Sequence, residues 1–305
     1  MGSAAVAAGL VTAKQLRGPA FRSLYRGVFV ASEVEVTYLL RCEAAALLAG
    51  VLTGVGPGPR RAAPGSAALA GWAAAEILRA DCAPAGVPAE ILLPVGHRRP
   101  RPGLRVHHGR ALPDEIVSGM PIPVPGRREQ VVPGRTVTTT SALRTAFVLA
   151  RREDRMEAVI ALDALSRVGG FALGEVLEAA RRHPGARGVA RLAGFVALAS
   201  PLAGSPMETR VRLALHDYGV RPPVLQHQVG AYYIDLAYPD LLLGIEYDGE
   251  HHREPERARA DLARQAFLTA RGWEILRPRA GVVLRRPDQV AEVVQRRLAL
   301  RASAR

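Results

Sequence analysis

Asp235, at the centre of the apolar run YYIDLAY, and Glu246, in the stretch IEYDGEHH, are the residues of this chain whose type and position ask most directly for a chemical explanation. A carboxylate buried in an apolar strand without a partner costs several kcal/mol. If Pro239 and Asp240 form a two-residue turn, Asp235 lies opposite Gly244 and diagonal to Glu246. Side-chain alternation then puts Glu246 and Asp248 on one face. Three carboxylates at that range repel one another unless a divalent cation neutralises them or a proton is shared. Mg²⁺ (or Mn²⁺) is the economical solution, because carboxylate oxygens and a backbone carbonyl suit it, and Gly244 would leave room for a phosphate beside Asp235. Such an ion polarises a phosphodiester, helps to deprotonate the attacking water and stabilises the leaving oxygen. His251 or His252 is a candidate proton relay. The plainer alternative, a solvated Asp-Gly turn at YDGEHH, is weakened because the residues that follow read as a helix and not as a returning strand.

The elements that must position these acids are marked in the sequence. GSPMETRVRLALHDYG opens with Ser205 as an N-cap and Pro206 at the first helical position, and it closes on Gly219. Met207, Val211, Leu215 and Tyr218 are expected to form its inward stripe. Glu208 is expected as a capping-box acid paired with Arg212, and it is also an accessory candidate for the site. PPVLQHQV reads as a strand, and AYYIDLAYPDLLLGIEYDG as two more. EPERARADLARQAFLTARG reads as an amphipathic helix ended by Gly272, with Ala258, Leu262, Ala266 or Phe267, and Ala270 facing inward. WEILRPRA returns as a strand and RPDQVAEVVQRRLALR closes as a helix, giving the order α-β-β-β-α-β-α.

Upstream, VAAGLVTAKQLRGPAFRSLYRGVFV offers a short helix, a second helix around Pro19 to Leu24, and a strand entered through Gly27. That is the skeleton of a winged helix-turn-helix, with Arg17, Arg22 and Arg26 as the expected phosphate contacts. GVGPGPRRAAPGS (Gly54 to Ser66) and ALASPLAGSP (Ala197 to Pro206) are Pro/Gly breaks. Between them lie strand candidates at Ala89–Leu93 and Leu104–His107, and helical stretches at Ser141–Arg151, Arg155–Ser166 and Leu173–Arg182. His97, His107 and His108 sit among arginines and are expected on a solvated or phosphate-facing basic loop.

Composition limits the function classes. The chain has 305 residues, enough for two or three domains; 49% are hydrophobic and 23% charged, so the bulk of it is expected to fold. It has no apolar run of the ~18 residues that a membrane span requires, and the apolar N-terminal stretch lacks the basic residues that precede a signal sequence. A cytoplasmic protein is therefore expected. Cys42 and Cys82 are far apart, without zinc or redox spacing. A formal charge of +13, carried by arginines and the single Lys14, points to a polyanionic partner, although a high-GC genome enriches arginine regardless of function.

SPMETRVRLAL, YYIDLAYPDLLLGIEYDGEHH and RQAFLTARGWEILR together resemble a domain-of-unknown-function family of small endonuclease-like domains related to the very-short-patch mismatch-repair endonucleases. These belong to the restriction-endonuclease-like, PD-(D/E)XK superfamily. The likeness covers roughly residues 203–300 and implies a metal-dependent, DNA-cleaving fold, with Asp235 and Glu246 as Mg²⁺ ligands, Glu208 as an accessory acid and DGEHH as the edge of the site. The superfamily motif ends in lysine, and Asp248 stands in that place here. Gln265 or Arg264 on the next helix, or His251, are the candidates to supply the missing charge or to contact DNA. FRSLYRGVFV and SALRTAFVLAR resemble AbiEi-type antitoxins of abortive infection systems, which implies DNA binding and a cognate toxin. The expected architecture is a multi-domain α/β (α+β) chain: a winged-helix-like region at 1–55, a mixed α+β middle domain at 66–200 and a nuclease-like domain at 203–305. An endonuclease or nickase and a DNA-binding regulator with a degenerate nuclease fold are the two leading functions these features allow, with RNA cleavage a less favoured third.

Overall fold

The computed structural model describes residues 1–54, 67–94, 101–124, 127–247 and 255–304, and these form two compact units, Met1–Val196 and Ala197–Arg305. The first unit begins with helices α1 (Gly2–Ala7) and α2 (Ala13–Arg17) and the antiparallel hairpin β1 (Phe21–Tyr25) and β2 (Val28–Ala31). The helix expected around Pro19–Leu24 is replaced by β1. Thr12 and Gln15 form a capping box that starts α2 early, Gly18 ends it, and Phe21 to Tyr25 pair with β2.

Helix α3 (Tyr38–Ala49) leads into β3 (Leu52–Thr53), then β4 (Ala68–Leu69), α4 (Gly71–Ile77), β5 (Ala89–Leu93), β6 (Leu104–His108), β7 (Ile116–Val124) and β8 (Arg127–Thr140). These strands make one mixed sheet of order β3-β8-β4-β5-β6, with β7 pairing β8. Helices α5 (Ala142–Arg152), α6 (Arg155–Gly169), α7 (Glu175–Arg181) and α8 (Leu192–Leu198) follow. One core joins Tyr25 and Val28 of the hairpin and Leu39 of α3 to Leu69, Ile91 and Val137 of the sheet, so residues 1–54 share apolar packing with the middle region. Both cysteines are free and buried, and burial pushes the Cys82 thiol up to about 12, which leaves it protonated.

His107 does not lie on a solvated basic loop as expected. Strand β6 turns it toward the fully buried Glu90, whose Oε2 lies 2.6 Å from His107 Nε2. Arg152 of α5 donates to both Glu90 oxygens, at 2.6 and 2.9 Å, and the Trp72 amide donates at 3.2 Å. Burial pushes this carboxyl up, but His107 and Arg152 together hold it below its ordinary value. His97 lies outside the described residues.

The second unit contains α9 (Pro206–Asp217), β9 (Val224–Val229), β10 (Tyr232–Tyr238), β11 (Leu243–Ile245), α10 (Pro255–Ala270), β12 (Glu274–Leu276), α11 (Ala280–Arg285) and α12 (Pro287–Ser303). Its sheet runs β12-β11-β10-β9, antiparallel except for the parallel pair of β11 and β12. Leu236, Tyr238, Leu243 and Ile245 pack with Val211 and Leu215 of α9 and Val290 and Val294 of α12. Ile234 and Ala237 pack on the other face with Leu268 of α10 and with Trp273. The sheet is thus covered on both faces, and alternation breaks between Ile234 and Ala237, on either side of Asp235. Tyr218, expected in the α9 stripe, is 51% exposed, because α9 ends at Asp217. Among the described residues no helix is long and apolar enough to cross a membrane.

Candidate active site

The turn after β10 differs from the expected two-residue turn, and the difference brings the acids closer together. Pro239–Leu241 forms a short 3₁₀ turn, and Leu242 takes a left-handed φ of 49°. The two extra residues shift the register, so that Ala237 faces Gly244 and Leu236 faces Ile245. Extending that ladder by one residue sets Asp235 across from Glu246 rather than from Gly244. Gly244 makes room for core side chains and not for a phosphate: a Cβ there would lie 2.6 Å from Ile275 Cδ1 and 2.8 Å from Ile234 Cγ2. The amide of Glu246 donates to the carbonyl of Leu276 at 3.0 Å, which continues the pairing of β11 with β12 one residue further.

Glu208 reaches the same place from α9. Ser205 Oγ caps the helix by accepting from the Glu208 amide at 3.2 Å. The Glu208 carboxylate accepts from the Gly204 amide at 2.7 Å, one residue before the position a capping box requires, and from Gln226 Nε2 at 3.2 Å. Arg212, expected to pair with Glu208, donates to the Leu198 carbonyl. Gln226 Nε2 also lies 3.5 Å from Asp235 Oδ1, so one amide bridges two acids. Gln226 takes a left-handed φ of 48° in mid-strand, a conformation that costs a non-glycine residue about 1–3 kcal/mol and marks a locally strained backbone.

Electrostatics separates the acids. Burial, then the negative charges of Glu208 and Glu246, push the Asp235 carboxyl up to about 7, against the opposing pull of Gln226 and Arg264. Glu246 is buried but held by two guanidinium groups. Arg264 Nη1 donates to Oε2 at 2.7 Å and Nη2 to Oε1, while Nη2 also donates to the Tyr233 carbonyl at 2.6 Å. Arg277 donates to Oε2 at 3.0 Å and to Gln265 Oε1 at 2.7 Å. The hydrogen bond to Glu246 pushes the Arg264 pKa up, so that side chain is a fixed cation.

Helix α10 presents a face that coincides with the expected one only at Phe267, which packs beside Leu268 and Trp273. Leu262 is 71% exposed and Ala266 and Ala270 are also exposed, whereas Leu268 is buried and Arg264, one turn earlier, points at Glu246. The ion pair and Leu268 set the rotation of the helix. Of the expected site residues, Glu208, Asp235, Glu246, Arg264 and Gln265 come together in the second unit. Asp248, His251 and His252 lie outside the described residues. Arg17, Arg22 and Arg26 belong to the first unit, where Arg17 donates to the Ala13 carbonyl at 3.1 Å, Arg22 donates to the Val34 carbonyl, and Arg26 is exposed.

Gln226 and Arg277 are part of the constellation without having been expected there. Both are readable from register: β9 and β10 pair so that Gln226 stands across from Asp235, and the parallel pairing of β11 with β12 puts Arg277 beside Glu246. Carboxylate oxygens of this kind suit a hard divalent ion, and burial beside two other acids raises Asp235 despite the nearby Arg264 cation. Among the described residues no three His, Cys, Asp or Glu side chains are grouped closely enough to hold an ion by themselves.

Residues 207–298 match the family model REase_MTES_1575. The C-terminal unit is restriction-endonuclease-like. An uncharacterized protein of Mycobacterium tuberculosis, found in two strains, is 32% identical over 179 residues, covering 57% of this chain and 65% of that protein. The chain therefore spans just under two thirds of the length of these relatives. An uncharacterized protein of Haemophilus influenzae is 39% identical over 66 residues, 22% of this chain and 41% of the other.

Proposed function

We propose that the restriction-endonuclease-like unit is a divalent-metal-dependent DNA endonuclease or nickase, of the kind represented by the very-short-patch repair enzymes. The observation that carries this reading is the meeting of Asp235 and Glu246 at facing strand positions, with Glu208 tied to Asp235 through Gln226. Asp235 and Glu246 are the proposed holders of Mg²⁺ or Mn²⁺, with Asp248 as a further ligand and main-chain or solvent oxygens completing the shell. When bound, the ion supplies Lewis-acid polarisation of the phosphate and a more acidic water. Arg264, fixed by the Tyr233 carbonyl, presents a permanent cation at the acids and takes the part of the lysine that Asp248 replaces. Gln226 orients Asp235, and Arg277 orients Gln265. His251 is the proposed proton relay, and His252 a contact to the nucleic acid. Residues 1–55 serve as a winged-helix-like DNA-binding region, with Arg17, Arg22 and Arg26 toward phosphate.

A second reading also has support. Arg264 and Arg277 together neutralise Glu246 without any metal, as expected of a site that has exchanged ion binding for an internal salt bridge. On that reading the protein is an AbiEi-type antitoxin or transcriptional regulator that binds DNA through a catalytically silent fold and acts with a cognate toxin. Incubating the protein with supercoiled and mismatch-containing DNA and Mg²⁺ or Mn²⁺ separates the two. The nuclease reading predicts nicking or cleavage that EDTA stops and that Asp235→Ala and Glu246→Ala each reduce by about 10²-fold or more. Intact DNA throughout, with DNA binding kept by both variants, would leave the regulator.

A further inference from the structure

On the β12 side of the acids, the ends of β11 and β12 open into a cavity of about 610 Å³ walled by Tyr247, Arg279, Val282, Arg285 and Arg286. Arg279 and Val282 also line an adjoining hollow of about 360 Å³, which Arg277 borders, and Arg277 is the residue bonded to Glu246. The two hollows share a wall, and they reach the candidate site only at Arg277 and at Tyr247, the residue after Glu246.

Its charge is unbalanced. Arg286 is paired with Asp288 at 2.9 Å, but among the described residues neither Arg279 nor Arg285 has an ion-pair partner, and both are exposed. Several guanidinium groups on one concave wall repel one another and raise the local concentration of anions. A guanidinium fork matches the two free oxygens of a phosphodiester. The cavity exceeds what one small anion fills and lies within the range of sites that hold a nucleotide-sized group.

We infer that this cleft seats the sugar-phosphate backbone flanking the phosphate that is presented to Asp235 and Glu246, with Arg279 and Arg285 on two successive phosphates. The strand then runs from the acids past the ends of β11 and β12 toward α11. The assignment takes its place on the substrate from the nuclease reading, but it concerns binding and is measured without cleavage.

The test is fluorescence anisotropy of the full chain with labelled single-stranded and duplex oligonucleotides in EDTA, titrated across salt concentrations. Removing two phosphate contacts lowers the slope of log K against log salt by about 0.7–0.9 per contact. The double variant Arg279→Ala with Arg285→Ala should lower that slope by roughly 1.4–1.8 and weaken binding at low salt by tenfold or more. Arg181→Ala with Arg187→Ala removes the same charge from exposed positions of the other unit and should leave the slope near that of the parent. Equal loss in both doubles, or an unchanged slope in the first, overturns the cleft assignment while leaving the nuclease reading intact. A parent protein that binds neither oligonucleotide overturns both, and circular dichroism of each double excludes unfolding as the cause of a loss.

Discussion

Asp235 concentrates the electrostatic strain of the candidate site into one carboxyl group. Its folded value of about 7 stands well above the ordinary 3.8, for reasons of burial and of two neighbouring acids. Between about pH 4 and 7 the folded chain keeps a proton that the unfolded chain has released, so stability falls as pH rises through that window and is level above it. At about 1.4 kcal/mol per unit, the ionised carboxylate costs the metal-free fold at most about 4 kcal/mol. Asp235→Asn removes the charge while keeping the shape. In EDTA it should raise the urea midpoint at about pH 8 and leave it unchanged near pH 4. A variant less stable than its parent at the higher pH would mean that the carboxylate is already compensated and that nothing at this position needs a cation.

The connection between β10 and β11 decides whether Asp235 and Glu246 meet at all. Its apolar strands and the Pro239 punctuation were readable from the sequence, as were the cap of α9, the strands β5 and β6 and the helices α5 to α7. The turn type was not, because Leu242 adopts a left-handed conformation that its residue type does not advertise, and two residues of turn length reset every pairing. The inner face of α10 was legible only at Phe267, for a related reason. Apolar periodicity favoured Leu262 and the alanines, whereas a buried glutamate on the neighbouring strand draws Arg264 inward, and that attraction is visible only once the register is known. Gly244 tests this account. If it serves the core, Gly244→Ala forces its methyl group against Ile275 and Ile234 and should cost about 1–3 kcal/mol in a urea melt. If it served only to admit a phosphate, stability would hold and nucleic-acid cleavage alone would suffer.

At the scale of the whole chain, two units carry separate apolar cores, and each contains one of the two tryptophans. Trp72 is fully buried in the first, with its amide on the Glu90 carboxylate. Trp273 is buried in the second, beside Ile234 and Leu268. Glu90 has no solvent contact and depends on Arg152 for a bidentate cation, with His107 as the other close partner. Deleting one partner of a buried ion pair leaves a charge that the interior cannot solvate, at a cost of about 3–5 kcal/mol. Arg152→Ala should therefore lower the urea midpoint of the first unit, read from Trp72 fluorescence in a Trp273→Phe background. The midpoint of the second unit, read from Trp273 in a Trp72→Phe background, should stay where it was, because the change touches none of its core. An unchanged Trp72 midpoint would show that His107, with Arg105 at 4.0 Å and the Trp72 amide, compensates Glu90 without Arg152. A fall in both would show that the two cores unfold as one.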